Sequence, residues 1–139
     1  MAEAITPPTW AVVGEQVACV VRPMRRNEWC RPATVVSVGK LYITVKVDGA
    51  AENERFRMDR DEMIDGAQWL SKREPGIASF FLGPLDSDRY RAVDHDQRVR
   101  AYAQRAEKAT DMFASEHTVE NAKRAIALLH SFVRVAEAS

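Results

Sequence analysis

Two periodicities divide the chain near residue 75. From Val12 to Trp69 apolar residues tend to alternate with polar ones, and Val, Ile, Thr and aromatic residues are frequent. From Tyr90 onward Ala, Arg, Glu and Gln dominate, and apolar residues recur at spacings of three and four. A period of two is that of a half-buried strand, and the 3–4 spacing that of an amphipathic helix. Strands followed by helices, rather than alternating with them, predict an α+β fold.

The strand half resolves into short segments. Gln16–Arg22 is the first, with Val17, Cys19 and Val21 on one face and Ala18, Val20 and Arg22 on the other. Pro23 ends it, because proline has no N–H for a ladder. Met24–Pro32 reads as a loop. Ala33–Val38 and Leu41–Val47 follow, joined by Gly39-Lys40 as a two-residue type II′ hairpin. Asp48-Gly49 makes the next turn, Glu54–Met58 a fourth strand and Gln68–Ser71 a short fifth. Four or five short strands in about 60 residues predict a small antiparallel barrel, since closure removes exposed edges. An SH3-like or Tudor-like barrel is preferred and an OB-fold comes second. The predicted organisation is a barrel over 9–72, a connector over 73–87 and a helical hairpin over 88–139. In the connector, Lys72–Gly76 is a turn signal, and Phe80-Phe81 pins the segment to a core, with a partner-binding site as the lesser alternative.

The first helix is expected to begin at Asp86 or Asp88, with a break around Val93 to Asp96. Its seam is Val99, Tyr102, Ala106, Ala109 and Phe113. The second is capped by Thr118, with the seam Val119, Ala122, Ile126, Leu129, Val133 and Ala136. Two apolar stripes joined by a short loop predict an αα-hairpin, its alanines allowing close approach of the backbones.

Composition narrows the functional classes. In 139 residues, 46% are apolar and 29% charged, with 20 basic and 20 acidic side chains giving zero net charge. This is a globular profile and argues against dominant disorder. It also argues against a general nucleic-acid coat, which needs a basic surplus. The start of the sequence lacks the basic and apolar regions of a secretory signal, and no apolar run approaches the ~20 residues of a membrane span. A cytoplasmic protein with no membrane partner is expected, with Cys19 and Cys30 as free thiols. No phosphate loop, nucleophile elbow or metal-ligand spacing is present, so no catalytic residue, cofactor or metal is expected. Asp94-His95-Asp96 reads as a solvated helical face, and the carboxylates at 59, 61, 62 and 65 as a charged strand end and turn.

One segment departs from the neutral balance. Between residues 22 and 31, Arg22, Arg25, Arg26 and Arg31 against Glu28 leave +3 around Trp29. Arginines beside an aromatic suit a protein hot spot, or phosphate contact with base stacking on Trp29 or Tyr42. The bland alternative is a Trp29 folded over the barrel mouth. Trp10, Trp29, Tyr42 and Phe56 are the rings available for a Tudor-type cage around a methylated cation.

Val13-Gly-Glu-Gln-Val17, the run Ala33–Val45 and Arg55-Phe-Arg-Met-Asp59 resemble a group of small actinobacteriophage proteins. These begin with a KOW/SH3-like barrel and continue into a linker and a helical tail. The resemblance spans about Val13 to Leu70 and implies no catalytic residues. The KOW type implies binding to RNA, ribosome or RNA polymerase components, by fold analogy alone. The Arg-Trp-Cys loop and the longer hairpin depart from the group. The resulting expectation is a phage-encoded, non-enzymatic protein that binds a host protein. A nucleic-acid-binding module is the alternative, and a homodimer through the hairpin a third.

Overall fold

The alternating pattern becomes seven strands in the computed structural model, which describes residues 5–138. They are β1 (Gln16–Pro23), β2 (Trp29–Val38), β3 (Tyr42–Val47), β4 (Glu54–Arg57), β5 (Asp61–Ile64), β6 (Ala67–Glu74) and β7 (Ala78–Gly83). Two helices follow, α1 (Asp88–Ser115) and α2 (Val119–Glu137). All ladders are antiparallel, in the order β4-β3-β2-β1-β7-β6-β5. The fold is therefore α+β, but the sheet is open, with β4 and β5 as its edges. The expected closed SH3-like barrel is not formed. The sheet nonetheless curls, because β4 lies against β6 and Glu54 forms an ion pair with Lys72 across the gap.

Most differences from the sequence reading come from added strands. The segment 73–87 is not a connector. Arg73 and Glu74 end β6, and β7 pairs with both β1 and β6 in the middle of the sheet. The Pro75-Gly76 signal is the hairpin turn between them, with Gly76 at φ 77° and the Ile77 N–H donating to the Glu74 carbonyl at 3.0 Å. That is the type II arrangement. The charged stretch at 61–64 is strand β5 rather than a turn, joined to β6 by Asp65-Gly66 with both φ values positive, as a type I′ hairpin needs. Residues 29–32 are strand rather than loop. Pro32 is tolerated because its ring nitrogen faces the β3 side, where that strand has ended; its carbonyl accepts the Asp48 N–H at 3.0 Å. Gly39 does not have positive φ, so the β2–β3 connection is not a type II′ turn.

The chain divides into two units, Met1–Asp94 and His95–Ser139. In the first, five successive β1 residues, Val17 to Val21, are buried. Such a run marks a strand covered on both faces. The inner face holds Cys19, Ile43, Val45, Phe56, Leu70 and Leu82. The outer face packs Ala18, Val20, Cys30, Phe81 and Trp69 beneath Leu85, Tyr90 and Val93. Gly83 makes room for Trp69, since a Cβ there would lie 2.2 Å from the indole. Cys19 and Cys30 belong to opposite faces, and neither is in a disulfide. Burial, with Glu54 second, pushes the Cys19 thiol up to about 12.

Helix α1 begins after Ser87 rather than at an aspartate cap, the Ser87 Oγ accepting the Tyr90 N–H at 3.2 Å. It runs without the expected break. Thr118 caps α2, its Oγ1 accepting the Asn121 N–H at 3.1 Å. Only Ala106, Ala109 and Ala125 are buried along the two helices. The expected α2 seam is not the contact face: Val119, Ile126, Leu129 and Val133 are exposed. Helix α2 instead turns the stripe around Ala125, Leu128 and Phe132 toward α1.

Candidate functional site

The basic loop does not act as one cluster. Arg22 lies on the outer face, where it pairs with Glu28 at 3.1 Å and stacks on Phe81 at 5.5 Å. Arg89 approaches the same carboxylate at 3.9 Å and lies over Phe81 at 4.3 Å. Desolvation lowers the Arg89 pKa from its usual value, while nearby Glu28 opposes the shift. The atoms Arg89 Nη2 and Trp69 Nε1 are buried without hydrogen-bond partners. This charge–aromatic stack joins Arg22 and Glu28 of the β1–β2 segment to Arg89 and Phe81, although the Arg22 side chain stays exposed.

Arg31 is also engaged. It stacks on Trp29 at 5.4 Å and donates to the Asp48 carbonyl at 3.2 Å. Arg25, at the loop tip with φ 61°, and Arg26 make no ion pair among the described residues. Tyr42 lies elsewhere, under Arg55 at 4.0 Å. It is level with the opposite end of β2 from Trp29, and nine strand residues separate the ends by about 30 Å along the strand. The two rings cannot stack on neighbouring bases.

No cage forms from the four rings. Phe56 is fully buried, Trp10 donates its indole N–H to the Gln68 carbonyl at 2.8 Å, and Trp29 packs against the inner core. A cation does sit over two rings, but it belongs to the chain. Lys72 Nζ lies 4.9 Å from the Phe56 ring and 5.3 Å from the Phe80 ring. This contact helps hold the curl of the sheet, because Phe56 is on β4 and Phe80 on β7.

What the fold does assemble is a groove at the end of β1, β2 and β7. Its cavity is about 520 Å³, with Trp29 and Phe80 in its floor, Met24 and Ile77 at its mouth, and Arg26 and Asn27 on its rim. Met24 is 56% and Ile77 62% exposed. The Met24 N–H donates to the Ile77 carbonyl at 3.2 Å, fastening the β1–β2 loop to the β6–β7 turn. The volume falls within the 300–1,000 Å³ of ordinary binding pockets, and the lining is mainly apolar. Of the sequence-derived site residues, Arg26 and Trp29 line it; Arg22, Arg25, Arg31 and Tyr42 do not. Met24 and Ile77 escape the sequence reading, because 24–32 reads as a loop and 77–82 as connector, whereas Phe80 enters it only as the lesser, partner-binding alternative. The signal that could have found them is Phe80-Phe81, adjacent rings that in a strand face opposite ways.

Among the described residues no three His, Cys, Asp or Glu side chains come together as a metal site, and no helix is long and apolar enough to cross a membrane. Comparison with known proteins finds no match to a family model, a curated protein or a solved structure.

Proposed function

We propose that this chain is a non-enzymatic, phage-encoded interaction protein that docks on a host protein through the groove at the β1–β2 end of the sheet. The observation that carries the reading is the pair Met24 and Ile77. Both are more than half exposed, tied together by a backbone hydrogen bond and set over Trp29 and Phe80. Monomeric surfaces rarely gather such side chains around a concavity without a partner for them. A protein hot spot has this chemistry: an aromatic floor, apolar walls and an arginine on the rim. The resemblance to small actinobacteriophage proteins is what points to a host protein. The curled sheet is read as an SH3-like scaffold opened by the added strands, with the protein acting in the cytoplasm.

Nucleic-acid binding is less well supported, because Arg22 and Arg31, though exposed, are already engaged within the chain. The test is capture from host lysate by immobilised protein, wild type beside Met24→Asp/Ile77→Asp. A stoichiometric partner retained by the wild type and lost by the variant, at unchanged melting temperature, is the expected result. A partner retained equally by both places the interface elsewhere. A low-salt gel shift abolished by Arg25→Glu/Arg26→Glu would favour the nucleic-acid reading instead.

A further inference from the structure

The α2 helix carries a second apolar stripe, most of which the hairpin leaves exposed. Val119, Ala122, Ile126, Leu129, Val133 and Ala136 follow the 3–4–3–4–3 spacing of heptad a and d positions over the full length of the helix. The four larger members are 72%, 55%, 45% and 48% exposed for Val119, Ile126, Leu129 and Val133. They account for a third of the exposed large hydrophobics among the described residues. The hairpin also leaves a cleft of about 210 Å³ beside the stripe, lined by Ala103, Ala106, Leu129 and Phe132 among others. Leu129 belongs to both, so stripe and cleft form one continuous apolar surface. Two helices with three buried alanines between them have almost no interior of their own. The arrangement that gives such a hairpin an interior is a second hairpin, as in a four-helix bundle.

We infer that this face binds a second copy of the chain, α2 against α2 and antiparallel about a two-fold axis. The stripe is complementary to itself in that direction. Full overlap of the two helices sets Val119 against the partner's Ala136, Ala122 against the partner's Val133 and Ile126 against the partner's Leu129. Each layer then recurs by symmetry. In four of the six layers a small residue meets a β-branched one, and in the other two Ile meets Leu, the interdigitation that fills a helix interface without voids. Parallel alignment would set Ala122 and Ala136 against themselves and leave gaps at both levels. Electrostatics agrees. Antiparallel helices oppose their macrodipoles, and the acidic first-turn Glu120 comes level with the partner's basic last-turn Arg134. Zero net charge on the chain leaves no overall repulsion against association. The interface is isologous, so the assembly closes at two copies.

Sedimentation equilibrium of the full chain over a range of concentrations tests this. The expected result is a reversible transition from 15.7 kDa to about 31 kDa, twice the chain mass. Ile126→Glu and Leu129→Glu, at exposed positions, are expected to weaken dimerisation by about 100-fold or more while leaving helical circular dichroism unchanged. A chain that stays monomeric at every concentration overturns the inference, and so does a dimer indifferent to both variants. Orientation is tested by mixing Val119→Cys with Ala136→Cys chains under mild oxidation, the native cysteines being buried. Cross-links between the two variants support the antiparallel arrangement; Val119→Cys linking only to itself overturns it. Because Met24 and Ile77 play no part, failure here leaves the groove proposal standing, and the reverse holds.

Discussion

The strand unit and the helical unit are built from similar proportions of apolar residues and use them in opposite ways. In β1, five consecutive residues are buried, and inner and outer clusters form on either side of the sheet. In α1 and α2, three alanines are buried and the larger aliphatic side chains of α2 face outward. Helices gain most of their stability from tertiary packing of an apolar face. A strand unit with two filled cores is complete in itself. A hairpin whose broad apolar face is half used is an element whose packing is unfinished within one chain. Substitutions should therefore act through stability in the first unit and mainly through association in the second.

The largest effect is expected at the inner core. Phe56 is fully buried on β4, where its ring also receives Lys72. Phe56→Ala removes the ring and leaves a cavity, with a loss of about 3–5 kcal/mol in denaturant unfolding. It also removes one wall of the contact that brings β4 against β6. A loss below about 1 kcal/mol would mean that the curl is held by other groups. On the outer face, Gly83→Ala inserts a methyl group 2.2 Å from the Trp69 ring. Overpacking of this kind costs about 1–3 kcal/mol, and a smaller loss would show that the indole has room to move.

The same contrast extends to pH. Cys19 lies in the inner core with its thiol pushed from 9.0 to about 12 by burial, with Glu54 the next contributor. The folded state thus holds its proton more tightly than the unfolded state. The associated stability is present below pH 9 and is lost as pH rises toward 12, with a slope of up to about 1.4 kcal/mol per pH unit. Denaturant titrations at pH 8, 9 and 10 should show this decline in the wild type and a shallower one in Cys19→Ala. Equal slopes would place the alkaline sensitivity in other groups.

Legibility in the sequence followed how local each signal was. The caps and turns at Thr118, Asp48-Gly49 and Pro75-Gly76 were visible because one or two residues dictate them. Strand β7 was not, because Ile77–Leu82 lacks alternation: Phe80, partly buried, and Phe81, buried, pack on opposite faces of a central strand, so no polar face exists to reveal the period. Barrel closure depends on which edges meet, a long-range property that short strands do not encode. The second helix shows the limit most plainly. Its 3–4 pattern gave the helix correctly, but two overlapping apolar stripes are present. Nothing within α2 says which of them meets α1, since Ala125, Leu128 and Phe132 have the same spacing as the outer set. In the groove, Arg26 and Trp29 were legible from composition, whereas Met24 and Ile77 come together only through the β6–β7 hairpin.

The smallest effect expected sharpens the comparison furthest. The Thr118 hydroxyl accepts the Asn121 N–H at 3.1 Å at the start of α2. Thr118→Ala should destabilise that helix by about 1 kcal/mol, since an N-cap oxygen satisfies a donor that otherwise lacks a partner. How that loss is distributed separates the two units. If the two units open independently, hydrogen exchange should quicken across α2 while the amides of β1 and β7 keep their protection. In a dimer that draws its stability from α2, the same loss should also weaken association, by about tenfold for about 1.4 kcal/mol at most. Faster exchange spread evenly over strands and helices would instead show one cooperative unit, and the division between a finished sheet and an unfinished hairpin would not hold.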